Sequence, residues 1–545
     1  MNFKITLLTC LLLISSTIHS QDWKVYPYVP TTTPTSQIAF PVDEGRHTDP
    51  VEWWYTSGWF TGNTSGNDYS FMLSYFYYPQ SFGPFSFDGF RILNVTNETT
   101  GAFYQDTQPV NYSNLSTTDL NIATTLPTGA EFWKNKVDGS TNSIPFEYEL
   151  QASSSNINIQ FDLETTKRPL IVGGDGLFDQ GLGNYTYYYS QTHNTLTGSF
   201  TLEGTTEIVT GNAWIDRQYG DFNPFIGEDY EWFSIQLDNG TDLNFWNMFN
   251  AAREIPNDPK YIMLSAYVDE STQYIINDIV IERLEYFKTD DNAKSYSKKW
   301  RLTSASKNLD LTITANHTTT EVNITQLAFR FFEGSTTVSG TDNGVPVSGV
   351  GFAELLHSYE DPDISITSPS GGTYNTSSPI TWMLNNPDDG RPTQYDLEYS
   401  TDNQVTFMPI VSGLTSTSYT WDGTGLNNGD AVWFKVKAYT IDNVLNSEII
   451  SASSNSVTLS NSSFKDNGLK FHPNPVQKEL TLNLKKPLND GTIQIIDIKG
   501  KVVLNRKTLK HKSIEKIDVQ FLSKGIYFLK VTSNTFQQAI KFVKK

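Results

Sequence analysis

Between residues 40 and 358 apolar and polar side chains alternate in short runs, and a helical period is almost nowhere found. Residues 69–76, Tyr-Ser-Phe-Met-Leu-Ser-Tyr-Phe, are representative, and such runs are separated by Gly, Asn and Pro. Alternation with turn punctuation predicts an antiparallel meander over residues 40–194. A second set of strands is predicted at 231–237, 243–249, 261–268 and 274–287. It closes with Phe331-Phe332-Glu333-Gly334, Val338-Ser339-Gly340 and residues 349–355, which carry Glu354. The paired sets predict two similar β-barrel halves, residues 40–200 and 201–358, although no residue-level repeat links them.

Three stretches combine aromatic with ionisable residues. In Glu52-Trp53-Trp54-Tyr55, successive strand side chains point to opposite faces, so Glu52 and Trp54 share one face and Trp53 and Tyr55 the other. The mixed face is expected to line a cavity, where desolvation would alter the carboxyl's protonation, and the aromatic face to enter a core. Residues 185–190, Tyr-Thr-Tyr-Tyr-Tyr-Ser, carry aromatics on both faces. In residues 211–220, Trp214, Asp216 and Gln218 share one face and Ile215, Arg217 and Tyr219 the other. Each candidate has an ordinary structural reading as well. Asp216 could pair with Arg217, Glu52 could be a buried carboxylate bonded to backbone, His47 could anchor a loop, and Glu333 and Glu354 could brace the second barrel.

Beyond Asp361-Pro362 the pattern changes. Trp382, residues 395–400, Tyr419-Thr420-Trp421 and residues 433–439 are spaced by frequent turn signals, which predicts an immunoglobulin/fibronectin-III-like sandwich over 361–460. A Ser/Asn-rich linker is predicted at 451–463, followed by a small β-sandwich at 466–545. At the other end, Lys4, the apolar run 5–14 and small residues up to Ser20 predict a signal peptide over 1–20, too short to span a bilayer. Residues 22–39, rich in Pro and Thr, read as an extended leader.

Composition narrows the function. Thirteen per cent aromatic residues suit pleated, half-buried surfaces. The 545 residues carry a net charge of −20, and the C-terminal module is Lys-rich, so the remainder is more acidic still. That excludes a nucleic-acid surface, which needs a basic stripe. The single cysteine, Cys10, falls inside the predicted signal peptide. The mature chain therefore has no disulfide, cysteine nucleophile or thiolate metal site, and an exported protein without disulfides points to a bacterium. No residue cluster has metal-ligand spacing, no Gly-rich loop cradles phosphate, and no nucleophile elbow occurs. Neither metal nor cofactor is expected, and the mature chain is expected to carry no integral membrane segment.

Two resemblances follow from these landmarks. His472-Pro473-Asn474-Pro475, Gly500-Lys501, Gly525-Ile526-Tyr527 and the basic end Lys541-Phe542-Val543-Lys544-Lys545 resemble the C-terminal sorting domain of type IX secretion cargo in Bacteroidetes. That implies type IX machinery as a partner and a protein released outside the cell or attached to its surface. Phe40-Pro41, Gly45, His47, Glu52-Trp53-Trp54-Tyr55-Thr56, Pro169-Leu170, Gly176 and Tyr188-Tyr189-Ser190 are similar to the carotenoid 1,2-hydratase and AttH-like family. So are residues 211–218, Glu333-Gly334, Val338-Ser339-Gly340, Gly349, Gly351 and Glu354-Leu355. The resemblance implies an all-β chain opening with two lipocalin-like barrels, and a hydro-lyase whose acid stands at Asp216.

Water transfer at a C=C bond needs an acid and a base, and aromatic faces favour a developing cation. The expected catalytic residues are Asp216, Glu52, Tyr187, Tyr189 and His47. Substrate is expected on Trp54, Trp214, Tyr188, Arg217, Gln218, Glu333 and Glu354. A tyrosine base would need its pKa of ~10 lowered. Family hydratases of carotenoids carry Tyr in place of Trp214, and His and Trp in place of Tyr187 and Tyr189, which argues against a carotenoid. Export by a bacterium of this kind favours an unsaturated oligosaccharide from polysaccharide breakdown. A phenolic substrate, and a surface protein that only binds an apolar or glycan ligand, are the alternatives.

Overall fold

The computed structural model describes residues 22–31, 35–82, 85–181, 184–221, 229–325, 328–459, 469–484, 491–507, 513–533 and 536–545. The predicted signal peptide lies outside the described residues. Among them the chain is β throughout, with two short 3₁₀ turns at Val42–Glu44 and Pro259–Tyr261.

Thirteen strands between Val51 and Asp221 form one sheet. Its path runs from Ala102–Val110 through Val51–Gly62, Thr205–Asp221 and Asn184–Leu202 to Tyr112–Leu115. The two end strands are separated only by Asn111, so the sheet curls until its edges approach, making a barrel. Ten strands between Tyr230 and Leu355 form a second, half-barrel sheet, whose path also ends on consecutive strands, Thr272–Ile276 and Ile279–Lys288. The expected boundary at residue 200 needs correction. Thr205–Asp221 forms a hairpin with Asn184–Leu202 in the first sheet, so the change of sheet falls between Asp221 and Tyr230.

Three apolar clusters organise these sheets. Phe60, Leu73, Trp133, Leu150 and Ile159 fill the first interior, and Phe233, Leu264, Trp300 and Leu311 fill the second. A third cluster joins Tyr55, Tyr188 and Trp214 of the first sheet to Trp232, Trp246 and Phe352 of the second. The outer faces of the two sheets are therefore packed on each other. The leader is more than an extended lead-in: Trp23, Tyr28, Ile38 and Phe40 pack with Phe146, Tyr189 and Tyr219 at one end of the first barrel.

Three- and six-stranded sheets follow between Ile364 and Thr458. Their last strand, Asn455–Thr458, occupies part of the stretch expected to be linker and pairs in parallel with Gly372–Asn375. This unit touches the second barrel: Ile255 N–H donates to the Asp388 carbonyl (3.0 Å) and Tyr286 N–H to the Asp442 carboxylate (2.6 Å). Three- and four-stranded sheets between Leu469 and Lys544 end the chain.

Candidate functional site

Residue alternation decides what reaches the space between the barrels. Along Thr205–Asp221, Val209, Ala213 and Ile215 point into the first barrel, whereas Trp214 joins the cluster between barrels and Asp216 and Gln218 line a hollow there. Directly opposed residues of antiparallel strands share a face. The register sets Tyr188 against Gln218 and Ser190 against Asp216, which brings Tyr188 and Ser190 to the same side. From the neighbouring strand Val51–Gly62, Trp53 and Tyr55 line the hollow; from the second barrel come Tyr230, Trp232, Trp246, Met248 and Glu354. The hollow has a volume of about 130 Å³.

Asp216 is buried and fully dressed. The Trp214 indole N–H donates to its Oδ1 (2.7 Å) and the Tyr188 hydroxyl to its Oδ2 (2.7 Å). Asn244 supports this set from the second barrel, donating to the Tyr188 hydroxyl oxygen (2.6 Å) and to Ser190 Oγ (3.0 Å). Burial raises the Asp216 carboxyl to about 7 against the pull of hydrogen bonds from Ser190, Tyr188 and Trp214, with Glu354 adding to the rise. Tyr188 moves the wrong way for a base: burial and the adjacent Asp216 carboxylate push its phenol well above the usual value.

A second pair of acids stands on the other barrel. Glu333 and Glu354 are directly opposed on the strands Phe329–Asp342 and Val345–Leu355. The Tyr55 hydroxyl donates to Glu333 Oε1 (2.7 Å) across the barrel boundary, and the Tyr230 hydroxyl donates to Glu354 Oε1. Both carboxyls are raised by burial, Glu333 further by the charge of Glu354. Gln218 Nε2, Ser74 Oγ and the Trp232 indole N–H are among the donors around the hollow that have no hydrogen-bond partner among the described residues.

The remaining sequence candidates lie elsewhere. Glu52 and Trp54 occupy the barrel-ward face, reversing the expected assignment; it is Trp53 and Tyr55 that reach the hollow. Glu52 is fully buried and paired with Arg46 and Arg217. Burial alone would raise its carboxyl, but Arg217, the His47 hydrogen bond and Arg46 overrule it and hold it at about 2. The Arg217 guanidinium lies over the Trp54 ring at 4.1 Å. His47 stacks on Tyr219 (3.6 Å) and hydrogen-bonds Asp43 (2.9 Å). Tyr189 packs edge-on against Phe40, and Tyr187 stacks on Tyr219. Glu52, Trp54, His47, Arg217, Tyr187 and Tyr189 are thus grouped together, but away from the hollow.

The second barrel repeats this interior arrangement. Glu231 begins Glu231-Trp232 as Glu52 begins Glu52-Trp53; it pairs with buried Arg283 and accepts from the Tyr359 hydroxyl (2.8 Å). His357 stacks on Phe249 (3.7 Å) as His47 does on Tyr219. This two-residue echo is the signal that would have exposed the repeat, and with it the outward-facing Trp232. No group of three or more His, Cys, Asp or Glu among the described residues is arranged to hold a metal ion.

Comparison with known proteins bears on the same region. Residues 31–359 match the AttH-like family, and residues 470–545 match the secretion system C-terminal sorting domain. Among curated proteins no significant match was found. Similar solved structures include an AttH protein from Nitrosomonas europaea, at 20% identity and TM-score 0.48, covering 61% of this chain and 98% of that one. Another is kievitone hydratase from Nectria haematococca, at 15% identity and TM-score 0.47, with the same 61% and 98% coverage. The family match spans more than half of the chain: this protein belongs to the AttH-like family, and its sorting domain marks it for secretion.

Proposed function

With membership of the AttH-like family as the premise, we propose that the chain is a hydro-lyase that adds or removes water at the C=C bond of a neutral, largely apolar substrate held between the barrels. The observation that carries this reading is Asp216: a carboxyl raised to about 7, facing an aromatic hollow, held by an indole and a phenol rather than by a cation. A group poised near operating pH serves as acid in one direction and base in the other. The aromatic faces of Trp53, Trp232 and Trp246 suit the cationic character that develops on carbon when a C=C bond is protonated.

The lining also bears on substrate class. None of the described lining residues is Lys or Arg, and the charged ones are Asp216, Asp229 and Glu354. The unsaturated oligosaccharide expected from the sequence would, where it ends in a uronate, bring a carboxylate into that acidic surrounding. The hollow of about 130 Å³ is close to the ~150 Å³ in which an apolar cavity holds benzene. A phenolic or isoprenoid unit fits this chemistry better, with Gln218, Ser74 and Trp232 available to its polar group. In this reading the sorting domain delivers the enzyme to the outer surface or the medium.

The test is incubation of purified protein with a prenylated phenol and, separately, with an unsaturated uronate disaccharide. A mass gain of about 18 Da, one water, is expected on the phenol alone. Asp216→Asn should abolish it with the circular dichroism spectrum unchanged. Full turnover by Asp216→Asn would remove Asp216 from the chemistry. The alternative of a binding protein draws on the same unpartnered donors: there Asp216→Asn would keep its affinity and no mass change would occur with any probe.

A further inference from the structure

Adding water to a C=C bond moves two protons, one to carbon and one away from water, and Asp216 is one group. Glu354 lines the same hollow from the opposite barrel. Behind it Glu333 is directly opposed on the adjacent strand; Glu333 is buried and Glu354 half-buried, and no cation among the described residues pairs with either. Each takes one phenolic hydrogen bond on Oε1, Glu333 from Tyr55 and Glu354 from Tyr230, while Glu333 Oε2 has no hydrogen-bond partner among the described residues. Two carboxylates side by side in a dry interior do not both ionise; they hold one proton between them. The groups facing the pair are Tyr55, Tyr230, Tyr188 and Asp216, and none of them is cationic.

We propose that Glu354 is a second catalytic proton-transfer group, opposite Asp216 on the hollow, and that Glu333 positions it and shares its proton. The proposal rests on the water-transfer reading above. In the hydration direction the Glu354 carboxyl gives its proton to one alkene carbon, the π pair forming the new C–H bond. Water oxygen bonds to the other carbon, and its proton passes to the Asp216 carboxylate, whose oxygens are dressed by donors that favour the anion. Asp216 then returns a proton, through water, to the Glu333–Glu354 pair, so one water is consumed and no proton is gained or lost. Dehydration runs the same steps backward.

The shared proton can be read without a substrate. At about pH 8.5 exposed carboxyls, with pKa values of ~4, are ionised, and Asp216 and Glu44, at about 7, largely so. Infrared spectra of the full chain should still show a protonated-carboxyl C=O band that shifts in D₂O and is lost in both Glu333→Gln and Glu354→Gln. Tyr55→Phe and Tyr230→Phe, which remove one hydrogen bond each, should move the band rather than abolish it, and they provide the reading if the Gln variants do not fold. No such band in wild type, or its survival in both Gln variants, overturns the proposal. With the prenylated phenol as probe, Glu354→Gln should lower kcat by about 100-fold or more with KM nearly unchanged. Glu333→Gln should shift the corresponding limb of the pH–rate profile downward. Wild-type-like kcat in Glu354→Gln, beside active wild type, refutes its catalytic role and spares Asp216. Inactivity of wild type on every probe refutes water transfer itself, while the band still decides the shared proton.

Discussion

Buried carboxylates stand in two settings in this protein, inside the barrels and between them. Inside, three meet a guanidinium: Glu52 meets Arg46 and Arg217, Glu131 meets Arg91 at 3.1 Å, and Glu231 meets Arg283, whereas Glu44 accepts from the Tyr26 and Tyr148 hydroxyls and is raised by burial to about 7. Between the barrels Asp216, Glu333 and Glu354 meet phenols, an indole and one another. Glu52, fully buried, is held ionised by its guanidinium partners, whereas buried Asp216 and Glu333 are pushed toward their neutral forms. Burial alone therefore does not mark a reactive carboxyl; its neighbours and the hollow it faces do so together.

The comparison can be broken from either side. The largest effect is expected for Asp216→Asn, a loss of roughly 100- to 10,000-fold in turnover of the prenylated phenol, followed by product mass. Removing a cation from a barrel interior should act on stability instead: Arg217→Met strips Glu52 of its buried guanidinium partner, leaving Arg46, and should cost about 3 kcal/mol, read by urea unfolding, with kcat of the folded fraction retained. The two settings should also differ in sign with pH. Asp216 has a folded pKa above its unfolded value, so the stability it lends is present below about pH 4 and lost as pH rises through about 7. Asp216→Asn should thus be more stable than wild type above pH 7, by up to roughly 4 kcal/mol. Glu52, held at about 2, behaves oppositely, lending stability above its unfolded value and losing it as pH falls toward 2. Thermal melts of Glu52→Gln and Asp216→Asn across pH would expose the contrast, and parallel curves would erase it. The smallest effect is expected for Tyr187→Phe, less than about twofold in turnover, because its ring stacks on Tyr219 away from the hollow. Tyr188→Phe, which removes a donor from Asp216, should exceed it by about tenfold or more.

The strand content, the order of the units and the common face of Trp214, Asp216 and Gln218 were legible in the sequence, because alternation and turn residues encode them locally. Which face looks into a barrel was not. Glu52 and Trp54 alternate with Trp53 and Tyr55 in any strand, and only closure of the sheet decides which pair is enclosed. The choice among Tyr187, Tyr188 and Tyr189 depended likewise on register with the Asp216 strand, fixed by pairing over a long hairpin with a bulge between Gln191 and Asn194. The acids of the second barrel were visible as residues but not as a pair, since their meeting with Tyr55 spans 278 positions of chain.

The strand Thr205–Asp221 serves two masters along one backbone, with odd-numbered side chains such as Val209, Ala213 and Ile215 turned to the first interior, Trp214 to the apolar cluster between the barrels, and Asp216 and Gln218 to the hollow. For anyone reshaping this protein, that amounts to two independent dials. Libraries varied only at odd positions would tune robustness, libraries varied only at even positions would tune selectivity, and the two could be recombined afterwards with little cross-talk.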